Sequence, residues 1–193
     1  MSVFRVQTDY IEFDHHMPHV DYNDSRKTGT AFALKIDHHM FLLTAHHVVS
    51  DAESIFVTSQ IYNGSEPIKC SVAGQNPYLD IAILEFIDFD IQQVKAFKKG
   101  KSSTLEPKSE ISIIGFADGT IRTHTTTGTI SGLHDYPHNR WQTDCAVNSG
   151  QSGSPCVDEF SAVVGVCTSG MNHMQNTNFF TGIDEVFLSI RRC

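Results

Sequence analysis

Short apolar runs alternate with turn-forming segments along most of the chain. The runs are rich in Val, Ile, Thr and Phe, and segments such as YNDS, FADGT and NSGQSG between them carry residues typical of turns. The pattern predicts strands over residues 30–36, 41–44, 54–59, 81–86, 111–115, 126–131 and 162–168. Many short strands at this spacing favour an all-β fold, either a barrel or a sandwich.

Helical periodicity is clear only near the end of the chain. The segment IDEVFLSIRR, residues 183–192, predicts one amphipathic helix, and Arg191 and Arg192 would complement the negative end of its dipole. A brief helical turn can follow His47. The hydrophilic stretch 92–110 contains KKGKSSTLEPKSE and separates two β-rich halves of similar size, so we interpret it as a solvated linker.

Length and charge narrow the class of protein. A chain of 193 residues is expected to form one domain, or two small halves packed as one. There are 22 acidic against 14 basic residues, a net charge of -8, whereas a nucleic-acid surface needs a concentrated basic face. No apolar run approaches the roughly 18 residues of a membrane span, and the first segment lacks the apolar core of a signal peptide. We therefore expect no nucleic-acid partner and no membrane segment.

The cysteines indicate a reducing compartment. They are five, an odd number, and no pair shows the two-residue gap of a zinc knuckle or a redox motif. Cys145, Cys156 and Cys167 lie within apolar segments that resemble strands, and a thiol in such a segment behaves as a small hydrophobic group. Buried free thiols in turn predict a cytoplasmic location.

Three short segments carry groups that could act together, in the chain order His, Asp, Ser. They are FLLTAHHVV with His46 and His47, NPYLDIAIL with Asp80, and NSGQSGSP with Ser152. A serine hydroxyl needs a base to take its proton, and the base needs an acid to hold its tautomer. Glycine beside the nucleophile lets backbone N–H groups converge as an oxyanion hole. Each segment alone has an ordinary structural explanation, but together they predict nucleophilic catalysis.

The chain resembles chymotrypsin-like (trypsin-fold) serine peptidases. Its motifs are most similar to those of the protease domain of the bacterial high-temperature-requirement family. TGTAFALKI and FLLTAHHVV resemble that family's Gly-rich hairpin and Thr-x-x-His-Val segment. DIAIL resembles the acid-bearing strand, QTDCAVNSGQSGSP the nucleophile loop, and VVGVCTSG the pocket-lining strand. The match covers about residues 28–193.

The resemblance implies an all-β fold of two antiparallel β-barrels of the chymotrypsin type with a short C-terminal helix. Residues 1–193 would form a single serine protease domain. Its barrels would lie at about 1–95 and 110–193, joined by a linker at about 96–109. The family's C-terminal peptide-binding domain is expected to be absent.

The resemblance also implies roles for individual residues. His47 would be the general base, Asp80 would orient it, and Ser152 would be the nucleophile of a serine endopeptidase that forms an acyl-enzyme. The backbone N–H groups of Gly150 and Ser152 would form the oxyanion hole. His46 falls where the family carries Ala or Asn, so its role is structural or none. The positions that match substrate-binding residues are Ala146, Val147, Cys167, Thr168, Ser169 and Gly170.

The primary pocket is expected to be neutral and apolar. Ala146 would stand at its floor, where trypsin-like enzymes carry an Asp. Cys167 and Val147 replace the His and the Thr or Ser of glutamate-specific and picornavirus-type proteases. Thr168 takes the place of a Ser that commonly touches the triad acid. A polypeptide substrate would bind extended in the cleft between the barrels, and no cofactor is implied.

Gln151 departs from the trypsinogen-type pattern. In those enzymes an Asp before the nucleophile pairs with a newly cut N-terminus, and Gln151 has no charge with which to do so. The site would therefore be governed by loop ordering or by an activating partner protein, or be preformed.

A metal site is not predicted, because adjacent histidines on a strand point to opposite faces; the residues considered are His15, His16, His19, His38 and His39.

Two alternatives stay open. A protein with this fold could bind or scaffold other proteins without turnover, which reaction with an active-site phosphonate would distinguish. It could also be a viral polyprotein-processing protease rather than a prokaryotic enzyme. Met1 favours a stand-alone gene product over an excised segment of a polyprotein.

Overall fold

Six strands in the first half of the chain form a closed barrel. The computed structural model describes residues 2–12, 23–36, 38–62, 66–117, 120–134, 140–170 and 177–190. The strands are β1 (Val3–Glu12), β2 (Asn23–Ile36), β3 (His39–Ala45), β4 (Ser54–Thr58), β5 (Ile68–Asn76) and β6 (Ile81–Phe86). Their order is β1-β4-β5-β6-β3-β2, and β2 pairs with β1 to close the ring. All these pairings are antiparallel.

A second closed barrel follows in the other half of the chain. Between the barrels lies the short strand β7 (Phe97–Lys99), and the second barrel consists of β8 (Glu110–Phe116), β9 (Thr123–His134), β10 (Arg140–Thr143), β11 (Pro155–Val157), β12 (Ala162–Gly170) and β13 (Asn178–Gly182). Their order is β12-β11-β8-β9-β10-β13, and the pairing of β12 with β13 completes the ring. The expected all-β fold of two antiparallel barrels is confirmed.

The alternation of side chains along β1 shows how the sequence orients a barrel wall. Phe4, Val6 and Tyr10 are buried, whereas Arg5 and Gln7 between them are only partly buried. Successive side chains of a strand point to opposite faces, so the first set fills the first barrel and the second set lies on its outer wall. The part of that wall near β8 faces the second barrel.

The stretch interpreted as a solvated linker is partly built into the core. Strand β7 lies within it and pairs in parallel with β2 of one barrel and β12 of the other. Phe97 is 1% exposed and packs edge-on against Phe32, and Ser102 is also buried. The interpretation was incomplete because a few apolar residues among Lys and Ser give no periodic signal, yet Phe97 fills the seam between the two barrels and Val94 packs into the first barrel.

The described residues include two α-helices, α1 (His46–Val49) and α2 (Ile183–Ile190). The expected turn after His47 is α1, and the expected C-terminal helix is α2, with Arg191 and Arg192 outside the described residues. Asp184 in the first turn of α2 binds Lys99 Nζ at 2.6 Å and accepts from the Ser103 N–H at 3.0 Å. These bonds lower the pKa of Asp184 from 3.8 to about 2, against the opposing effect of burial. They fasten the helix to the segment between the barrels.

Three apolar clusters form the core. The first fills the first barrel, and the third lies within the second. The second cluster combines Phe32 and Leu43 of the first barrel with Val163 and Ile183 of the second half. Because this shared cluster is closely packed, residues at the boundary of the two barrels have fixed positions relative to one another.

Every strand expected from the sequence overlaps a strand of the structure, and the expected 81–86 coincides with β6. Strands β1, β5, β7, β10, β11 and β13 were not predicted. Several of these are only three to five residues long, too short to show an alternating pattern. Within the described ranges, no helix is long and apolar enough to cross a membrane.

Candidate active site

The pairing of β3 with β6 brings His47 close to Asp80. Ala45 ends β3 and is the register partner of Ile81, the first residue of β6. The next residue of one strand therefore meets the preceding residue of the other, and the His46 N–H donates to the Asp80 carbonyl at 3.1 Å. The helix α1 begins at this point and carries His47 to the same acid. The expected base and acid are thus placed by strand register.

Asp80 holds His47 with both carboxylate oxygens. Oδ1 accepts from the backbone N–H of His47 at 2.8 Å, and Oδ2 lies 2.7 Å from His47 Nδ1. A carboxylate oxygen can only accept, so Nδ1 carries the proton, and in the neutral ring Nε2 then has the free lone pair. The Asp80 side chain is 14% exposed against 47% for His47. The acid is therefore sheltered while the ring remains accessible.

The turn before β6 sets the direction of the Asp80 side chain. Asp80 has a φ of 57°, a left-handed conformation that Asp tolerates better than most residues. Its N–H donates to the carbonyl of Pro77 across the turn at 3.3 Å. The carbonyl of Asp80 is in turn held by His46, so the unusual backbone is fixed on both sides.

Ser152 lies in a tight loop between β10 and β11 that packs against the end of β3. Gly150 and Gly153 on either side of it both have a φ of 86°, which glycine adopts without strain. A Cβ on Gly153 would collide with the Thr30 carbonyl and lie 2.8 Å from the nitrogen of Ala45. Only glycine permits this approach, which puts the nucleophile loop beside the start of α1.

The loop offers two backbone donors. The N–H groups of Gly150 and Ser152 donate to no acceptor in the described part of the chain. The neighbouring peptide groups are bonded, since Gln151 N–H donates to the Asn148 carbonyl at 3.1 Å and Ser154 N–H to the Gln151 carbonyl at 3.0 Å. Two unpaired N–H groups in an ordered turn are what an oxyanion hole requires.

Thr30 is a component of the site that the sequence analysis missed. This fully buried residue of β2 donates from its N–H to the Ser152 carbonyl at 2.8 Å and from its hydroxyl to the Gly150 carbonyl at 2.9 Å. The same hydroxyl accepts from the Phe116 N–H at 3.0 Å. Thr30 therefore holds the carbonyls of both proposed oxyanion-hole residues from the first barrel. No local pattern could reveal it, because the contact joins positions 120 residues apart.

Gln151 holds the loop from within. Its side chain is fully buried, and Oε1 accepts from the Asn148 N–H at 2.7 Å. The Nε2 group has no hydrogen-bond partner among the described residues. The sequence indicates only that Gln151 lacks a charge, whereas the structure gives its amide a direct part in ordering the turn.

The structure describes no hydrogen bond between the expected base and the expected nucleophile. Among the residues that the structure describes, no hydrogen bond joins the His47 ring to the Ser152 hydroxyl. Without substrate, such catalytic hydrogen bonds are often long and tighten only in the complex. The free lone pair on Nε2 and the packing of the loop against Ala45 are compatible with that closure.

The residues matched to substrate binding occupy different depths. Ala146 is exposed, and its carbonyl accepts from the Thr126 hydroxyl at 2.8 Å. Val147 is partly buried, whereas Cys167 is fully buried in the third cluster, so its thiol presents no surface to an open pocket. Thr168 is fully buried too, and its hydroxyl makes no bond to Asp80 or to any other described residue.

Ser169 and Gly170 continue β12, where they pair with Phe179 and Asn178 of β13. Asn178 was not singled out from the sequence, yet its side-chain amide donates to the Cys145 carbonyl at 2.7 Å. It thereby fixes the backbone just before Ala146. The segment that carries Ala146 and the end of β12 are thus tied together through β13.

The four described cysteines are free thiols, and all are buried. Burial is the main cause that raises the pKa of Cys70 and of Cys167 to about 12, and it also raises the pKa of Cys145 and Cys156. The expectation of buried free thiols holds for these four. Thiols with such raised pKa values stay protonated near neutral pH and are poor nucleophiles.

Two of the histidines considered as metal ligands, His38 and His39, lie in the described part of the chain. No cluster of His, Cys, Asp and Glu in the described ranges could hold a metal ion. His38 and His39 are exposed, while His15, His16 and His19 lie outside the described residues.

Comparisons with known proteins agree with the fold. Residues 29–166 match the trypsin-like peptidase domain. The serine protease Do-like HtrB of Bacillus subtilis is 32% identical over 137 residues, which are 65% of this chain and 29% of that protein. A probable periplasmic serine endoprotease, DegP-like, of Pseudomonas fluorescens is 30% identical over 148 residues, 74% of this chain and 29% of that protein.

Solved structures show the same fold at lower identity. The HtrA-type protease AlgW with a tripeptide has a TM-score of 0.78 at 22% identity, and the match covers 98% of this chain and 58% of that one. A serine endoprotease from Yersinia pestis has a TM-score of 0.73 at 20% identity, covering 98% of this chain and 61% of that one.

The chain spans less than a third of the length of both curated relatives. The family match itself extends from the hairpin before His47 to the strand after Ser152, so it includes every residue of the expected triad. The chain therefore belongs to the trypsin-like peptidase family, and HtrA-type serine proteases are among its relatives.

Proposed function

We propose that this chain is a serine endopeptidase that hydrolyses peptide bonds through His47, Asp80 and Ser152. One observation carries the proposal: both oxygens of the Asp80 carboxylate hold His47, beside a loop with two unpaired N–H groups. Membership of the trypsin-like peptidase family supports it.

In this proposal the Ser152 hydroxyl attacks the substrate carbonyl while His47 Nε2 takes its proton. Asp80 keeps the ring in the required tautomer and stabilises the imidazolium that forms. The N–H groups of Gly150 and Ser152 stabilise the negative charge on the carbonyl oxygen. His47 then gives the proton to the leaving amine, which leaves an acyl-enzyme on Ser152. A water molecule, activated by the same histidine, hydrolyses this ester and restores the hydroxyl.

The substrate would be a polypeptide bound as an extended strand in the cleft between the barrels, which together would form one catalytic unit. Extended binding satisfies the backbone groups of the peptide against a sheet edge. Similar solved structures of AlgW contain a tripeptide or a decapeptide. The exposed Ala146 and the partly buried Val147 favour a medium-sized apolar side chain before the cleaved bond.

The site would be preformed rather than switched on by a cut N-terminus. Gln151 orders the turn through the Asn148 N–H without any charge, and Thr30 fixes the carbonyls beside it. An activating partner protein is therefore not required for the loop itself to be ordered. Because the loop needs no cut N-terminus, an N-terminal tag should change the turnover number by no more than a fewfold.

The proposed location is the cytoplasm. Four buried free thiols support it, because secreted domains of this size more often carry disulfides. One of the curated relatives is named as periplasmic, so the location is open to a direct test. Fractionation of the source cells should recover the protein with cytoplasmic markers, and recovery in an extracytoplasmic fraction would contradict the proposal.

The activity is tested by the purified protein and its Ser152→Ala variant on a peptide library. Removing one hydroxyl should leave the fold intact and lower turnover by about 10⁴ to 10⁶. Turnover by the variant within tenfold of the wild type would show that Ser152 is not the nucleophile. A folded wild-type protein that cleaves no peptide would favour the alternative of a binding protein with a silent site.

A further inference from the structure

A pocket that the catalytic residues do not use lies between the two barrels. It has a volume of about 280 Å³, and its lining combines the outer wall of the first barrel with the end of β8 and the loop after it. The lining residues are Arg5, Gln7, Thr58, Ser59, Gln60, Phe116 and Ile121. Arg5 is the one charged residue among the lining residues that the structure describes, in a protein whose net charge is -8.

Arg5 is partly buried and has no partner among the residues that the structure describes. It forms no ion pair and no side-chain hydrogen bond with any residue in the described ranges. By contrast, Arg26 on the same barrel wall is paired with Asp9 at 3.0 Å. An arginine presents five N–H donors in a planar fork, and a partly desolvated one is most stable when these donors meet an anion.

The pocket also offers neutral donors and apolar surface. The side chains of Gln7 and Thr58 make no hydrogen bond to described residues, and Thr58 is the register partner of Arg5. Gln60 is fixed by its bond to the Ile121 carbonyl at 2.7 Å, which ties the two walls together. Ile121, 72% exposed, could cover the aliphatic part of a bound side chain.

Sheet register places this pocket next to the nucleophile loop. Arg5 pairs with Thr58 on one side and with Thr30 on the other. Directly opposed residues lie about 5 Å apart and point to the same face. The Thr30 hydroxyl on that face binds the Gly150 carbonyl, so Arg5 projects from the neighbouring strand beside the same loop. Phe116, which lines the pocket, donates from its N–H to Thr30 as well.

The loop around Ser152 is held by one strand toward the Arg5 pocket and by another toward the expected primary pocket. The Ser152 carbonyl is bound by Thr30, whereas the next residues, Gly153 and Ser154, are bound by Cys167 of β12. Ala146 and the end of β12, which would hold the acyl part of the substrate, are on the Cys167 side. A peptide that enters Ser152 from the Ala146 side would therefore continue toward the Arg5 pocket with the part that follows the cleaved bond.

We propose that the Arg5 pocket binds a carboxylate of the peptide on the leaving-group side. The proposal rests on the proposed peptidase function and adds a preference to it. The carboxylate would come from an acidic side chain or from the C-terminus of a short leaving peptide. The negative net charge of the protein does not prevent an anion from binding here. Acidic groups more than about 8 Å away are largely screened at physiological salt, whereas Arg5 would contact the bound carboxylate directly.

The test measures peptide binding in the Ser152→Ala background, so that no cleavage occurs. Matched fluorescent peptides carry Glu or Gln after the scissile position, each with a free or an amidated C-terminus. The acidic peptides should bind about tenfold more tightly than the neutral peptide, which corresponds to about 1.4 kcal/mol. A Glu effect identifies the side chain as the source of the carboxylate, and a free-acid effect identifies the C-terminus.

Adding Arg5→Gln should reduce the tenfold ratio to about one, and Arg5→Lys should retain part of it because the charge remains without the planar fork. The matched control is Arg26→Gln, which removes the same charge from the same wall and should leave the ratio unchanged. Raising the salt concentration should lower the ratio in the parent protein.

The proposal that the Arg5 pocket binds a carboxylate would be contradicted if acidic and neutral peptides bound equally well. It would also be contradicted if the preference for acidic peptides survived Arg5→Gln. The absence of binding by every peptide up to about 1 mM would overturn it too. Failure of the peptidase function would instead appear as wild-type protein without turnover and without labelling of Ser152. The two proposals can therefore fail separately.

Discussion

The two halves of the proposed catalytic site are held in different ways. His47 and Asp80 belong to one barrel, and the register of β3 on β6 makes them neighbours. Ser152 lies in a loop of the other barrel, where individual side chains, Thr30 and Gln151, order the turn. The first half depends on a whole sheet and the second on a few hydrogen bonds. Substitutions should therefore separate the chemistry of the first half from the ordering of the second.

The largest effect is expected from the adjacent histidines. His47→Ala should abolish peptide cleavage, with a loss of about 10⁴ or more, because only this ring is held by Asp80. His46→Ala should retain most activity, since the contact of His46 with Asp80 is made by its backbone N–H. Turnover numbers of the two variants on one peptide provide the measurement. The opposite order would place the base one residue earlier and contradict the register described for α1.

A smaller effect is expected when the loop is loosened. Thr30→Val removes the hydroxyl that binds the Gly150 carbonyl and the Phe116 N–H but keeps the shape of the side chain. We expect kcat to fall by about 10- to 100-fold with little change in KM, because the loss of one oxyanion-hole donor typically costs 10² to 10³ and here the donors are only misaligned.

Thr30→Ser serves as the matched control, because it restores the hydroxyl and should recover most of kcat. A merely structural role would lower stability without this split between kcat and KM. If Thr30→Val and Thr30→Ser had equal kcat values and both were folded, the hydroxyl would have no part in positioning the loop.

The least effect on activity is expected where α2 contacts the segment that joins the two barrels. Asp184→Asn removes the ion pair with Lys99 and should leave turnover unchanged, but lower the free energy of unfolding by roughly 1–2 kcal/mol at pH 7. The pKa of Asp184 in the folded protein is about 2, below its ordinary 3.8, so its contribution is present above about pH 4. It is lost as the pH falls toward 2.

Denaturant unfolding at several pH values measures this contribution. The gap between the wild type and Asp184→Asn should be constant from pH 7 to about 5 and shrink below pH 4. Glu159→Gln, a change at an exposed acid, is the control and should show no such gap. A gap that widened on acidification would mean that the pKa shift has the opposite sign.

The sequence predicted those parts of the molecule that have a local signal. Strand β6 was predicted within its observed bounds because its residues are almost all apolar and a turn precedes it. The segments around His47, Asp80 and Ser152 carry short motifs that specify both a turn and a reactive group. Strand β13 carries neither turn signal nor alternation, since all five of its residues are buried.

Contacts between distant segments could not be predicted in this way. Phe97 lies in a mostly hydrophilic stretch, and only the assembled barrels reveal the seam that it fills. The role of Thr30 depends on a loop 120 residues away. The unpaired state of Arg5 likewise follows from which side chains surround it, not from its position in an alternating strand.

The central claim is that Ser152 is an activated nucleophile in a preformed site. It is tested most directly by treating the purified, untagged protein with a fluorophosphonate and locating the adduct by mass spectrometry. The account predicts one covalent adduct on Ser152 in the wild type, and labelling at least about 10³-fold slower in His47→Ala, because the base is then missing. A folded wild-type protein that acquires no adduct on Ser152, under conditions in which trypsin is fully labelled, would contradict it.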